Sequence, residues 1–148
     1  AVDGNKKRII IDVTNKNSPV LISSVTYTNM YYTHQGWFTE DKRFFIAGDE
    51  VDEETIGINT RTLVFDLNDL DNPSLHYSYS GPTSAIDHNG YVVGNRFYLA
   101  NYNAGMRVLK IDKLYNTVPS MTEVDYFDTH PSTDSASFYG GLERSPIL

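Results

Sequence analysis

The stretch His34-Gln35-Gly36-Trp37 decides the fold, because a second copy, His88-Asn89-Gly90-Tyr91, occurs 54 positions later (88 − 34) in similar surroundings. Behind each copy lies an aromatic, apolar run, and a second apolar run follows after a polar loop. These runs are Arg43–Ala47 and Thr62–Leu67 in the first copy, and Arg96–Ala100 and Arg107–Asp112 in the second. A proline then closes each unit. The chain is therefore built from a repeat.

The length of the repeat predicts an all-β protein made of β-propeller blades. Pro19, Pro73 and Pro119 mark successive units, 54 and 46 positions apart (73 − 19 and 119 − 73). Units of about 40–55 residues with four short strands each are typical of propellers. Helical repeats of similar length need a helical periodicity that no window of this chain shows. We expect four-stranded antiparallel blades at about residues 30–80 and 84–128, within a single domain over residues 1–148.

Parts of further blades flank these two units. Ile9–Val13 and Val20–Tyr27 are β-rich runs separated by a turn that ends at Pro19, which predicts the end of a preceding blade. Phe138–Gly141 is similar to the start of a following blade. Because a closed propeller needs at least about four blades, we expect a partial propeller that is completed by further sequence or by another chain.

The composition excludes several classes of function. A net charge of −7 argues against a nucleic-acid partner, since phosphate binding needs clustered Lys and Arg. The absence of cysteine excludes disulfides, a thiolate nucleophile and cysteine-based zinc sites. No apolar run approaches the roughly 18 residues of a membrane span, so no membrane span is expected.

The two histidines of the repeat, His34 and His88, are the candidate catalytic residues, together with Asp87. Their equivalent positions predict that both lie near the inner strands of neighbouring blades. Neutral imidazoles with nearby carboxylates bind transition metals or relay protons. The alternative is that each histidine bonds a backbone group and fixes the entry turn of its blade. No Gly-x-Ser-x-Gly elbow accompanies them.

The stretch Asp49–Glu54 places five carboxylates in six positions. Oxygen ligands at this density suit Ca²⁺, although the stretch lacks the spacing of an EF-hand. The alternative is a solvated acidic loop, in which Glu53 and Glu54 point into water and Asp49 bonds backbone amides or Arg61. The predicted calcium ligands are Asp49, Glu50 and Asp52.

Aromatic side chains beside the repeat motif predict a binding surface. Trp37 and Tyr91 occupy the matched last position of each copy of the motif. Aromatic residues with a polar edge are common anchors for a sugar or a peptide. The alternative is that they fill the space between blades. The candidate binding residues are Trp37, Tyr91, Asn101 and Tyr102.

Six stretches also show a family resemblance. They are Tyr32–Asp41, Gly48–Glu50, Asn59–Thr62, Asp87–Asn89, Ala100–Arg107 and Tyr126–Thr129. Together they resemble the choice-of-anchor B family of bacterial surface proteins with LVIVD-type propeller repeats, over roughly residues 9–140. The chain departs from the family at Leu142–Leu148, where a member would continue into an aromatic strand. The resemblance implies an extracellular or cell-surface β-propeller, of which this chain is a fragment.

Two classes of function follow from these observations. We expect a binding or scaffold module whose partners are the remainder of the propeller or another chain, with a protein or glycan as ligand. The alternative is a metal-assisted hydrolase or lyase with its site at the propeller axis, using both repeat histidines with Asp49 and Asp87. Ca²⁺ in a structural role is the expected metal.

Overall fold

A computed structural model of the chain describes residues 2–3 and 7–139, and this part is built almost entirely from short β-strands. The prediction of an all-β protein is therefore confirmed. The elements are β1 (Val2–Asp3), β2 (Lys7–Asp12), β3 (Val20–Val25), β4 (Thr33–Phe38), β5 (Phe44–Asp49), α1 (Asp52–Ile56), β6 (Arg61–Asp66), β7 (Ser74–Ser80), β8 (Gly90–Val93), β9 (Arg96–Ala100), β10 (Met106–Lys110), a 3-10 turn (Asp112–Tyr115) and β11 (Thr122–Phe127).

The strands form three antiparallel sheets in chain order. The first sheet is β1-β2-β3, the second is β4-β5-β6-β7 and the third has neighbours in the order β8-β9-β10-β11. The aromatic runs of the repeat form β5 and β9, and the runs after Pro19 and Pro73 form β3 and β7. Across the residues described, the sheets do not close into a ring. The observed architecture is therefore a series of antiparallel sheets, two of them four-stranded.

The second sheet is buried on both faces. On one face Phe44, Ile46 and Val64 pack with Phe97 and Leu99 of the third sheet, in one hydrophobic cluster. On the opposite face Ala47, Leu63 and Phe65 form a second cluster. Val25, the last residue of β3 in the first sheet, packs against it. Successive side chains of a strand point to opposite faces, so each of β5 and β6 supplies both clusters. The three sheets thus pack through their faces.

The glycine of each repeat motif makes room for an aromatic ring. A Cβ atom added at Gly36 would overlap the ring of Phe45, and one added at Gly90 would overlap the ring of Phe97. Gln35 then joins the two motifs. Its Nε2 donates to the carbonyl oxygen of Gly90 at 2.7 Å, and the Gly90 amide donates to its Oε1 at 2.8 Å. The two copies of the motif therefore bind each other directly, strand β4 beside strand β8.

The outermost strands expose apolar side chains. Val20 and Leu21 of β3 are exposed, as are Tyr126 and Phe127 of β11. The predicted start of a further blade at Phe138–Gly141 lies partly outside the described residues, which end at residue 139. Within the described ranges, no helix has the length and apolar character needed to cross a membrane.

Candidate functional site

One edge shared by the second and third sheets collects four of the predicted site residues, His34, Glu50, His88 and Tyr102. His34 lies at the start of β4 and Glu50 directly follows β5. These two ends lie side by side, because Thr33 pairs with Asp49 in the antiparallel ladder. His88 lies just before β8, which packs beside β4. Strand direction and sheet packing therefore bring the two repeat histidines to the same place.

His34, Glu50 and His88 form a compact group, here called the histidine–glutamate cluster. Glu50 lies between the two imidazoles, with its Oε2 3.3 Å from His34 Nδ1 and its Oε1 3.4 Å from His88 Nε2. The imidazole rings stack with centroids 4.7 Å apart and planes inclined by 19°. One potential ligand atom from each side chain lies within 4.8 Å of the others. The arrangement can hold a metal ion.

Neighbouring side chains orient this cluster. The Tyr102 hydroxyl donates to Glu50 Oε1 at 2.9 Å, and its ring lies 5.0 Å from the His88 ring. Tyr102 adopts φ = 30° in the turn between β9 and β10, an uncommon conformation for a residue with a side chain. The side-chain amide of Asn89 lies 3.3 Å from His88 Nδ1. Glu50 is thus held by Tyr102 and lies between the two histidines.

The acidic stretch is neither solvated nor gathered around one point. Asp49, Glu50, Asp52 and Glu53 are all buried, and of the five acidic residues only Glu54 is exposed. The interpretation as a solvated loop is therefore wrong for Glu53, but Glu54 is exposed, and Asp49 accepts from backbone amides and lies beside Arg61, as that alternative predicted. The stretch is not a loop throughout, because Asp52–Ile56 form the short helix α1, which was not expected from the sequence. The first turn of α1 holds three acidic residues, and Gly57 ends the helix with φ = 68°.

Asp49 is bound by protein donors. Its carboxylate accepts hydrogen bonds from the Tyr27 hydroxyl at 2.7 Å and from the Tyr31 amide at 2.8 Å, among others. Asp52 Oδ2 accepts from Arg61 Nε at 2.5 Å. Asp49, Glu50 and Asp52 were the predicted calcium ligands, and the described residues do not bring these three together as a metal-binding group. Only Glu50 joins such a group, with the histidines.

Arg61 connects the buried acidic residues to the preceding loop. Besides its bond to Asp52, its Nη2 lies 3.6 Å from Asp49 Oδ2. Its guanidinium also donates to the carbonyl oxygens of Thr28 at 3.1 Å and Asn29 at 2.6 Å. A single cation therefore faces two carboxylates that are fully buried.

Two further buried carboxyl groups lie behind this network. Burial, together with the charges of Asp87 and Asp52, raises the pKa of Glu53 to about 10. Burial likewise raises the pKa of Asp87 well above its ordinary value, again with nearby carboxylates contributing. The Asp87 side chain lies against Gly48, where an added Cβ would overlap its carboxyl group. Asp87 was a candidate catalytic residue, and it lies away from solvent, outside the histidine–glutamate cluster.

The candidate binding residues separate into two places. Trp37 and Tyr91 meet edge to face, with centroids 4.6 Å apart, and Trp37 is 44% exposed. Asn101 is 2% exposed, and its amide donates to the carbonyl oxygens of Ala85 and Ile86, so it holds the backbone and does not face a ligand. Tyr102 is also buried and contacts Glu50 instead of the aromatic pair.

Sequence reasoning missed the role of Glu50 beside the histidines and chose Asp49 and Asp87 as their carboxylate partners. The one available signal is alternation: consecutive side chains at a strand end point in different directions, which favours different surroundings for Asp49 and Glu50. Which of them faces the histidines depends on how the sheets pack.

No protein-family model matches this chain, and a search of curated proteins gives no match. A function for this chain is therefore argued from its residues and their geometry.

Proposed function

We propose that this chain is part of an extracellular or cell-surface β-propeller of the choice-of-anchor B type, and that it acts as a binding module for a glycan or protein ligand. The sequence resemblance supports the family and the location. Successive antiparallel sheets that pack through their faces are compatible with neighbouring propeller blades. The observation behind the binding role is the aromatic pair formed by the exposed Trp37 and the half-buried Tyr91.

The aromatic pair is suited to binding because Trp37 is exposed and both rings are held in place. Trp37 belongs to β4 and Tyr91 to β8, so the pair spans the junction of two sheets. The paired hydrogen bonds between Gln35 and Gly90, one or two residues away, fix the two strands relative to each other. Rigid aromatic side chains offer a large contact area and lose little conformational entropy on binding.

The exposed apolar side chains of the outermost strands support a second part of the proposal, which concerns the protein partner. Repeat sheets need a neighbour on each face to bury their apolar side chains. Val20 and Leu21 of β3, and Tyr126 and Phe127 of β11, are exposed. We propose that the remainder of the propeller, or another chain, covers them.

The binding role is tested with Trp37, which is the only tryptophan of the chain. A panel of defined oligosaccharides is added one at a time, and the fluorescence emission of Trp37 is expected to shift with an oligosaccharide that binds. Trp37→Ala is expected to weaken that binding by about 30-fold in calorimetry, the size of a loss of about 2 kcal/mol at a central aromatic anchor.

Phe38→Ala is the matched control for this experiment. Phe38 is 48% exposed, similar to Trp37, but its ring packs on Phe45 and not on Tyr91. Its removal is expected to leave ligand binding unchanged. Equal losses in the two variants, or none in Trp37→Ala, would show that the aromatic pair is not the binding site.

A metal-assisted hydrolase or lyase is the second candidate function, and the histidine–glutamate cluster favours it. We expect any such activity to need Zn²⁺, Mn²⁺ or Fe²⁺ and to disappear in His34→Ala and in His88→Ala. Hydrolysis of p-nitrophenyl acetate and p-nitrophenyl phosphate by the metal-loaded chain is the measurement. Turnover that persists in both variants would place the reaction elsewhere.

A further inference from the structure

We propose that His34, Glu50 and His88 bind one divalent transition-metal ion of the Zn²⁺ type at the edge shared by the second and third sheets. This site is separate from the aromatic pair of Trp37 and Tyr91, so binding of the metal ion does not require that the pair binds a ligand. It also does not depend on any catalytic activity.

The spacing of the three side chains matches a metal site. Ligand bonds of about 2.0–2.1 Å in a tetrahedral zinc site place neighbouring ligand atoms roughly 3.3 Å apart. His34 Nδ1 lies 3.3 Å from Glu50 Oε2, and His88 Nε2 lies 3.4 Å from the other carboxylate oxygen, Oε1, so each imidazole is at this spacing from one oxygen of Glu50. The three potential ligand atoms also fall within 4.8 Å of one another. The three side chains are therefore close enough for one ion to lie among them.

The types of ligand atom select the class of metal. Two imidazole nitrogens and one carboxylate oxygen suit Zn²⁺ and related transition metals. Ca²⁺ instead takes six to eight oxygen ligands, and the oxygens offered by Asp49 and Asp52 already face Arg61. We therefore favour a transition metal at this edge over the calcium ion expected from the acidic stretch.

The surroundings support the same conclusion. The Tyr102 hydroxyl bonds the Glu50 carboxylate, as outer-shell groups commonly do for metal-binding carboxylates. The Asn89 side-chain amide lies next to His88 Nδ1, where it can orient the ring so that Nε2 faces the ion. Glu50 is almost fully buried, whereas 30% of the His34 side chain is exposed. The side of the cluster near His34 is therefore accessible to an ion from solvent.

Glu50 could instead act only as a counter-ion for the two histidines, and such ion pairs would show similar distances without any metal. The two interpretations differ in one measurable property. A counter-ion role gives no stoichiometric metal binding, whereas the proposed site binds one ion per chain and requires all three side chains.

The experiment uses the 148-residue chain without a histidine tag, stripped with EDTA and titrated with Zn²⁺ in a calorimeter. We expect one Zn²⁺ per chain, confirmed by elemental analysis, and no displacement by excess Ca²⁺. His34→Ala, His88→Ala and Glu50→Gln are each expected to weaken binding by more than about 100-fold. Tyr102→Phe is expected to weaken it by roughly 10-fold, since it removes only an outer hydrogen bond.

His130→Ala is the control, because His130 lies outside the cluster and is expected to have no effect on Zn²⁺ binding. Absence of Zn²⁺ binding by a cooperatively folded native chain would overturn the proposal, as would ligand variants that bind like the native chain. If the variants do not fold, Co²⁺ bound to the native chain decides. Intense visible d–d bands of a four-coordinate site support the proposal, and the weak spectrum of hydrated Co²⁺ contradicts it.

Discussion

Replacing Arg61 with alanine is expected to destabilise the folded chain by about 3–5 kcal/mol, the usual cost of removing one partner from a buried ion pair. Asp49 and Asp52 are both 0% exposed and face the Arg61 guanidinium. Without it, their charges would remain buried with less compensation. The variant would also lose the contact between the guanidinium and the Tyr27 ring, whose centroid lies 5.4 Å away. Urea unfolding followed by circular dichroism at pH 7 measures the change.

Arg61→Lys is expected to recover only part of this loss. The guanidinium donates to Asp52 and to the carbonyl oxygens of Thr28 and Asn29 at the same time, and a single ammonium group cannot reach all three with the same geometry. Arg43→Ala is the control. The ion pair of Arg43 with Asp66 is partly exposed, so its loss is expected to cost no more than about 1 kcal/mol. Similar losses in Arg61→Ala and Arg43→Ala would contradict the argument.

Glu53→Gln is expected to stabilise the folded chain at neutral and alkaline pH. Burial raises the folded-state pKa of Glu53 to about 10, from an ordinary value of 4.5. Between these values the folded state holds a proton that the unfolded state has lost. The contribution of protonated Glu53 to the free energy of unfolding is therefore complete below pH 4.5. It is lost as the pH rises toward 10, on the order of 1 kcal/mol per pH unit. Glutamine mimics the protonated side chain and does not lose stability in this way.

The charged groups around Glu53 set the expected size of the effect. Asp52 and Asp87 face it and have raised pKa values themselves, mainly through burial, so they make the native pH dependence steeper in the same direction. Arg61 donates its backbone amide to Glu53 Oε1 at 3.1 Å.

The measurement is the free energy of unfolding in urea at several pH values from 5 to 8. Between pH 5 and pH 8 the stability of Glu53→Gln relative to the native chain is expected to rise by roughly 3 kcal/mol. The native chain loses the contribution of protonated Glu53 over this range, and the variant does not. Glu54→Gln is the control, since Glu54 is exposed and is expected to leave the pH profile unchanged. Parallel profiles for the native chain and Glu53→Gln would show that Glu53 is ionised in the folded state.

The strands of this protein were predictable from the sequence because their causes are local. The aromatic runs Arg43–Ala47 and Arg96–Ala100 predicted strands that became β5 and β9, and the prolines predicted where outer strands begin. Strand propensity and turn chemistry act over a few residues, so a repeated pattern predicts a repeated local structure. The repeat also predicted that His34 and His88 hold equivalent positions, and their rings do stack against each other.

The make-up of the candidate site was decided only by the tertiary structure. Asp49 turns toward Arg61 and the loop before β4, whereas Glu50 turns toward the two histidines, although the residues are adjacent. From the sequence, both were expected to bind calcium, a contact of Asp49 with Arg61 was expected only in the alternative without an ion, and no contact of Glu50 with the histidines was expected. Their separate environments arise because alternation sends neighbouring side chains in opposite directions, and because the packing of the third sheet against the second determines which direction meets His88. Burial and charge pairing then depend on residues distant in the chain, which a local pattern cannot specify.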